Sequence, residues 1–169
     1  ARARRAGLVR IAPPRGVCAS ADAISSAALV QTPRGGAILT SPARRARALA
    51  EALGERDRLV PQVDPRLQEL DFGAWEGRLW SDIDRAESDP WAADPHRLAP
   101  PGGETFAALY ARVADALRTA PRGALIVTHA GPIRAARMMF EGMSFDRAFA
   151  AAIPYATPMM LAPQERQLT

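Results

Sequence analysis

"ALIVTHAGPIRAARMMF", Ala124 to Phe140, decides the fold. A short apolar run, Ala124 to Thr128, ends at a histidine and a tight turn, and the apolar spacing then changes to that of a helix opened by Pro132. A brief apolar run bounded by a turn predicts a strand buried on both faces, and such strands belong to parallel sheets covered by helices. The plan also stands earlier in the chain. "AILTS", Ala37 to Ser41, predicts a strand, and "SPARRARALAEALG" a helix with Ser41 as N-cap, Pro42 at the first helical position and Gly54 at the stop. In "ETFAALYARVADAL", Phe106, Leu109, Tyr110, Val113 and Leu117 recur at helical spacing and predict one core stripe. Strands alternating with helices give an α/β fold, a three-layer sandwich with a mostly parallel central sheet and helices on both faces. A single domain over 1–169 is expected, with 71–103 as a covering insertion. That segment holds all three tryptophans, several prolines and glycines and little periodicity.

Composition narrows the function. The chain is 48% hydrophobic, enough for a sizeable core. All 22 basic residues are arginine, and against 18 acids they leave a formal charge of +4, favourable for anionic ligands. The arginines are scattered among acids, as in "ALGERDRLV" and "WSDIDRAESDP", which argues against nucleic acid as a partner. Cys18 is the single cysteine, so no internal disulfide forms and a reducing cytoplasm is expected. "ARARRAGLVR" is basic, but the apolar run behind it is too short for a signal peptide core and Pro13 and Pro14 break a transit helix. The expectation is a soluble cytoplasmic protein with a loose basic end and no membrane partner. No repeat, metal motif or cofactor motif is present, and oligomeric state is left open.

Two strand-to-helix turns carry polar side chains. Ala43, Ala46, Leu49, Ala50 and Leu53 form the buried stripe of the first helix, and Arg45 sits at its edge in the first turn. There it stands beside free backbone N–H groups and the positive end of the helix dipole, a favourable place for a cation only when an anion is present. His129 occupies the same mouth on the later strand. Arginine suits bidentate contact with phosphate oxygens, and a histidine beside it adds a hydrogen bond or carries a proton. Taken singly, each residue has a plainer reading: Arg45 solvated, His129 structural, Glu69 a surface carboxylate, Glu104 a helix-start acid, the tryptophans packing.

Their joint order resembles the histidine phosphatase superfamily, also called phosphoglycerate-mutase-like, and within it looks most like alpha-ribazole phosphatases. "TSPARRARALAEAL" is similar to the family's arginine-bearing helix and maps a phosphate-binding arginine onto Arg45. "LQELDFGAWEG" resembles the segment of the acid that protonates the leaving group, at Glu69. "PPGGETFAALYARV" matches a Gly-Glu-Ser helix start with Thr105 for serine, and "IVTHAGPIRA" matches the second histidine motif at His129. The family's first motif reads Arg-His-Gly or Arg-His-Ala, and here "LVRIAPPRGVC" supplies Arg10 and then Ile11. The resemblance makes Arg10 the first phosphate arginine and places Ile11 where the family has its nucleophilic histidine. Isoleucine has no lone pair and forms no phosphohistidine. Cys18 to Ser20 stand where relatives of this type read Cys-Tyr-Gly.

The resemblance therefore implies a protein that binds a small phosphate ester or inorganic phosphate through Arg10, Arg45 and His129, with Glu69 beside them and catalysis impaired. The alternative is an active phosphomonoesterase in which water attacks directly, with His129 or Glu69 as general base. His96 and Cys18 are weaker candidates for a substitute nucleophile, because in-line attack needs reacting atoms about 3–3.5 Å apart. A mutase is disfavoured by the missing phosphohistidine.

Overall fold

Each core strand alternates its side chains between two helical layers. The computed structural model describes residues 9–12, 36–154 and 158–161, the first four as backbone only. Among the described residues, strands β1 (Val9–Ala12), β2 (Ile38–Thr40), β3 (Gln62–Val63), β4 (Leu125–Val127) and β5 (Met159–Leu161) form one sheet in the order β3-β2-β4-β1-β5. The first four are parallel and β5 lies antiparallel on β1. On one face Ile38, Leu125 and Val127 pack against helix α1 (Arg44–Asp57) through Ala46, Leu49, Ala50 and Leu53. Between these residues of β2 and β4, Leu39 and Ile126 turn to the other face. They meet Phe106, Leu109, Val113 and Leu117, with Ile133 and Ala136 beyond. Helix α2 (Arg85–Ala93) lies in the 71–103 segment. Helices α3 (Phe106–Thr119), α4 (Ala130–Glu141) and α5 (Phe145–Ala150) follow. The fold is the expected three-layer α/β sandwich, and the α3 stripe is as read, with Tyr110 packed at its margin.

Three local expectations are corrected. Ser41 does not cap α1. The N-cap is Ala43 and makes no side-chain bond, while the Oγ of Ser41, two residues before that cap, accepts a 3.2 Å bond from the Ala43 N–H. Pro42 accordingly precedes the helix. Gly54 is not the stop, for α1 continues to Asp57 and Arg58 takes the left-handed conformation (φ 56°). Leu59 N–H then donates back to the Gly54 carbonyl at 2.8 Å, folding the exit chain onto the helix. Pro132 does not open α4, which starts at Ala130; it is the third residue, where the missing N–H has no intrahelical carbonyl to lose.

The close return of the chain explains the glycine at position 54. A Cβ there would collide with the Leu59 carbonyl oxygen and lie 2.9 Å from the Pro61 ring. Gly54→Ala gains up to about 1 kcal/mol of helix propensity, yet the obstacle is main chain that no rotamer change removes. A net loss of about 1–2 kcal/mol is expected in urea unfolding. A stabilised variant would show that the exit chain is free to move.

Candidate functional site

Parallel β2 and β4 end side by side, and each feeds a helix whose N-terminus points back at the sheet's carboxyl edge. Neither α1 nor α4 carries an acid of its own in its first turn, so the positive ends of both dipoles face this edge. Arg45 is the second residue of α1, and His129 is the N-cap of α4. The Arg45 Nη2 lies 3.1 Å from the His129 Nδ1. The other ring nitrogen, Nε2, is 2.7 Å from the Ser41 Oγ, which is 2.8 Å from the Gln68 Oε1.

These contacts assign one tautomer. Arginine can only donate, so Nδ1 is the acceptor and Nε2 carries the proton. Nε2–H donates to Ser41, whose hydroxyl donates to Gln68. The ring is 2% exposed, and burial first, then the charges of Arg45 and Arg112, push its pKa down to about 3. His129 is therefore neutral at physiological pH.

Glu69 stands beside this pair in a cleft of about 740 Å³ that Arg45, Gln68, Asp71 and Phe72 also line. Its Oε1 accepts from Leu70 N–H at 2.9 Å and from Gly131 N–H, in the first turn of α4, at 3.0 Å. A Cβ at position 131 would run into that oxygen, so the glycine lets the carboxylate approach the helix end. Burial is the largest influence on Glu69 and raises its pKa. The two N–H donors and the charges of Arg45 and Arg134 oppose it.

The structure thus brings Arg45, Glu69 and His129 together. Arg10 lies on β1 in register with Leu125, four residues short of His129, and Ile11 with Ile126, three short. The side chains of Arg10 and Ile11, and Cys18 to Ser20 altogether, lie outside the described residues. His96 packs its ring against Phe106 and Phe145, at centroid distances of 6.4 and 5.1 Å. The tryptophans contact one another and Phe72, Trp80 stacking on Trp91 at 5.7 Å. Among the described residues no group of three or more His, Cys, Asp or Glu is placed to hold a metal. None of the described helices is long and apolar enough to cross a membrane.

The roles of three residues escaped the sequence reading. Ser41 and Gln68 hold the back of the imidazole, a role that their neighbours in sequence do not signal. Arg112, two turns into α3, donates to the carbonyls of Arg66 (2.8 Å), Gln68 (2.7 Å) and Glu69 (3.0 Å) and pairs with the Glu104 carboxylate. The Glu104 carboxylate also accepts from Asp71 N–H at 3.1 Å, and Glu104 N–H donates to the Asp71 carbonyl at 3.0 Å. Glu104 is thus part of the clamp on the loop that presents Glu69. Opposite charges eight residues apart, 104 and 112, were the available signal.

An arginine, a neutral histidine and a buried acid thus converge at the carboxyl edge of the sheet, where the N-termini of two helices meet. The chain matches the histidine phosphatase superfamily (branch 1) over residues 21–169 and belongs to that family; Arg10 and Ile11 precede the matched part. It is similar to a bifunctional protein of Mycobacterium tuberculosis, 38% identical over 113 residues that cover 60% of this chain and 30% of that protein. Glucosyl-3-phosphoglycerate phosphatase of the same organism is 35% identical over 114 residues, 58% of this chain and 51% of the relative. Phosphoserine phosphatase 1 of Hydrogenobacter thermophilus is 25% identical over 138 residues, 77% and 65%. The matched part spans less than two thirds of each of these relatives. Among solved structures, mycobacterial glucosyl-3-phosphoglycerate phosphatase complexed with VO3 superposes with a TM-score of 0.75 at 24% identity, covering 93% of each chain. Bacillus stearothermophilus YhfR gives 0.76 at 23%, covering 90% of this chain and 89% of that one. At such identities the likeness concerns the fold.

Two outcomes follow from this geometry. Ring nitrogen shifts in NMR should show His129 as the neutral Nε2–H tautomer at pH 5, where an exposed histidine is mostly charged. Because its folded pKa lies below the unfolded value of 6.5, this residue's contribution to stability is full above pH 6.5 and is lost as pH falls toward 3. A cationic ring at pH 5 would contradict the assignment. Arg112→Ala leaves three carbonyls and Glu104 without their partner and should cost about 2–3 kcal/mol in urea unfolding; a change below ~0.5 kcal/mol, the range of ordinary surface substitutions, would mean the clamp is dispensable.

Proposed function

We propose that this protein binds phosphate monoesters and has lost the covalent route by which its family hydrolyses them. The observation that carries this reading is the Arg45–His129 contact at two helix N-termini that lack first-turn acids. A cation held against a neutral imidazole, with the positive ends of two dipoles behind it, is an arrangement that an anion relieves. Glu69, its pKa raised by burial, is suited to hold the proton that a departing ester oxygen needs.

Loss of the covalent route is supported in two ways. Ile11, at the position that the resemblance gives to the nucleophile, offers no lone pair. His96 faces phenylalanines. The participation of Arg10 rests on the motif resemblance, as does an alpha-ribazole-like ligand. The relatives named above carry other substrates in their names. Segment 71–103 is proposed as the cover of the cleft that its ends, Asp71, Phe72 and Gly103, help to line. A cytoplasmic setting, without nucleic-acid, membrane or cofactor partners, belongs to the same proposal.

The second reading is hydrolysis by direct attack of water with His129 or Glu69 as general base. The unprotonated Nδ1 of His129 beside Arg45 favours it. A group whose pKa is near 3 is a weak base at neutral pH, and for that reason binding is the leading reading.

Calorimetry with inorganic phosphate and vanadate at low salt tests the binding. Arg45→Ala should weaken it at least about tenfold, and unchanged affinity would remove Arg45 from the site. Wild-type protein should release no p-nitrophenol from p-nitrophenyl phosphate and accumulate no acid-labile phosphoprotein after quenching. Turnover without phosphoprotein would select the water route; turnover with it would overturn the loss of covalent catalysis.

A further inference from the structure

Two ends of one hydrogen-bond chain line the same cleft. Arg45 bonds the His129 Nδ1, the ring's Nε2 bonds Ser41 and Ser41 bonds Gln68, while Arg45 and Gln68 both line the cleft in which Glu69 stands. Arg45 is the cation of the proposed site. What Gln68 offers at the other end follows from the lone pairs of Ser41.

A serine hydroxyl has one proton to give and two lone pairs to receive with. The Ser41 Oγ accepts from Ala43 N–H at 3.2 Å and from the His129 Nε2–H at 2.7 Å, so both lone pairs are taken. Its own proton must then go to Gln68, 2.8 Å away, and the atom there can only be the amide oxygen. An amide turned the other way would set its N–H2 against a hydroxyl with no lone pair left. The Arg45 donor at one end thus fixes the orientation of the Gln68 amide at the other and turns the N–H2 group away from Ser41. Among the described residues no hydrogen bond reaches that group, and Gln68 is an exposed residue on the cleft wall.

The main chain of Gln68 is held on both sides. Its N–H donates to the Pro65 carbonyl at 3.1 Å, and its carbonyl accepts from the Arg112 Nη1 at 2.7 Å. A donor oriented by packed neighbours before a ligand arrives loses little freedom on binding. The N–H2 of a neutral amide, in a cleft that also holds an arginine, suits a further oxygen of the same oxyanion.

We propose that Gln68 contacts the ligand: its amide N–H2 donates to an oxygen of the anion that Arg45 holds, and the hydrogen-bond chain through Ser41 and His129 keeps the amide from flipping. The proposal rests on the phosphate-ester reading above.

Two substitutions and one wild-type measurement separate contact from support. Gln68→Glu keeps an oxygen for Ser41 and replaces the donor by a carboxylate oxygen; Gln68→Met removes both and adds no charge. In calorimetry with inorganic phosphate and vanadate at pH 8, the first should weaken binding at least about tenfold and the second several-fold. If Gln68→Glu binds as well as wild type, Gln68 only supports the ring and the proposal is overturned. If Gln68→Glu weakens binding while folded Gln68→Met binds like wild type, the loss is long-range repulsion and the proposal is again overturned. In wild-type protein the side-chain amide signals of Gln68 in NMR should move on saturation with phosphate. Signals that stay where they are overturn the contact whatever the variants do, and this measurement decides alone should the variants fail to fold. If wild-type protein binds neither anion, the phosphate-ester reading falls and the proposal falls with it.

Discussion

The buried imidazole of His129 is the point on which the site depends. A histidine that is 2% exposed must have both ring nitrogens satisfied, and among the described residues the partners come from the first turn of α1, through Arg45, and the turn before it, through Ser41. Meeting that demand fixes how β2 and β4 end relative to one another. It is reinforced in the backbone by Ser41 N–H donating to the Val127 carbonyl at 3.0 Å, so the two strand-to-helix turns are joined by both main chain and side chain. From this follows the electrostatic character of the edge, since two helix N-termini cannot be brought so close without summing their dipoles.

Around that node the protein separates support from contact. The Glu69 loop leaves the sheet edge after the short helical turn Pro65–Leu67 and is held from behind. Thr128 Oγ1 donates to the Leu67 carbonyl at 2.6 Å, and Arg112 collects three further carbonyls from the same stretch. The carboxylate itself is then oriented by two N–H groups, one of them at the start of the helix that His129 caps. Main-chain donors on packed elements orient a group more rigidly than flexible side chains do, as a site requires when small displacements cost binding or rate.

Much of this was legible in the sequence. The strand and helix periods gave the layers correctly, because Ile38 against Leu39, and Leu125 and Val127 against Ile126, sort by simple alternation. Arg45 and His129 were found by their place at strand and helix ends, and Glu69 through the resemblance of its segment to the family's. What stayed hidden depends on tertiary contact. Ser41 reads as a helix cap from local pattern, yet its hydroxyl is committed to a histidine 88 residues away. Gly54 reads as a stop, yet its smallness serves a chain that returns after Arg58. Glu104 reads as a helix-start acid, and only the folded loop shows that Arg112 and Asp71 N–H claim it.

The direction of the hydrogen-bond chain sets a condition on any anion that enters. Arg45 donates to His129, His129 to Ser41, and Ser41 to Gln68, so the nitrogen turned toward Arg45 is an acceptor. An acceptor facing a phosphate oxygen is repelled. The ring must then either stay behind Arg45 or take up a proton at Nδ1 and become a donor. Burial and the positive charge of Arg45 oppose the proton while the site holds no anion, and a bound dianion cancels the second of these. On the proposed function, anion binding and protonation of His129 favour one another, so the affinity for an anion whose own charge does not change should rise as pH falls toward the pKa of the occupied state, which calorimetry with sulfate over a pH series would check.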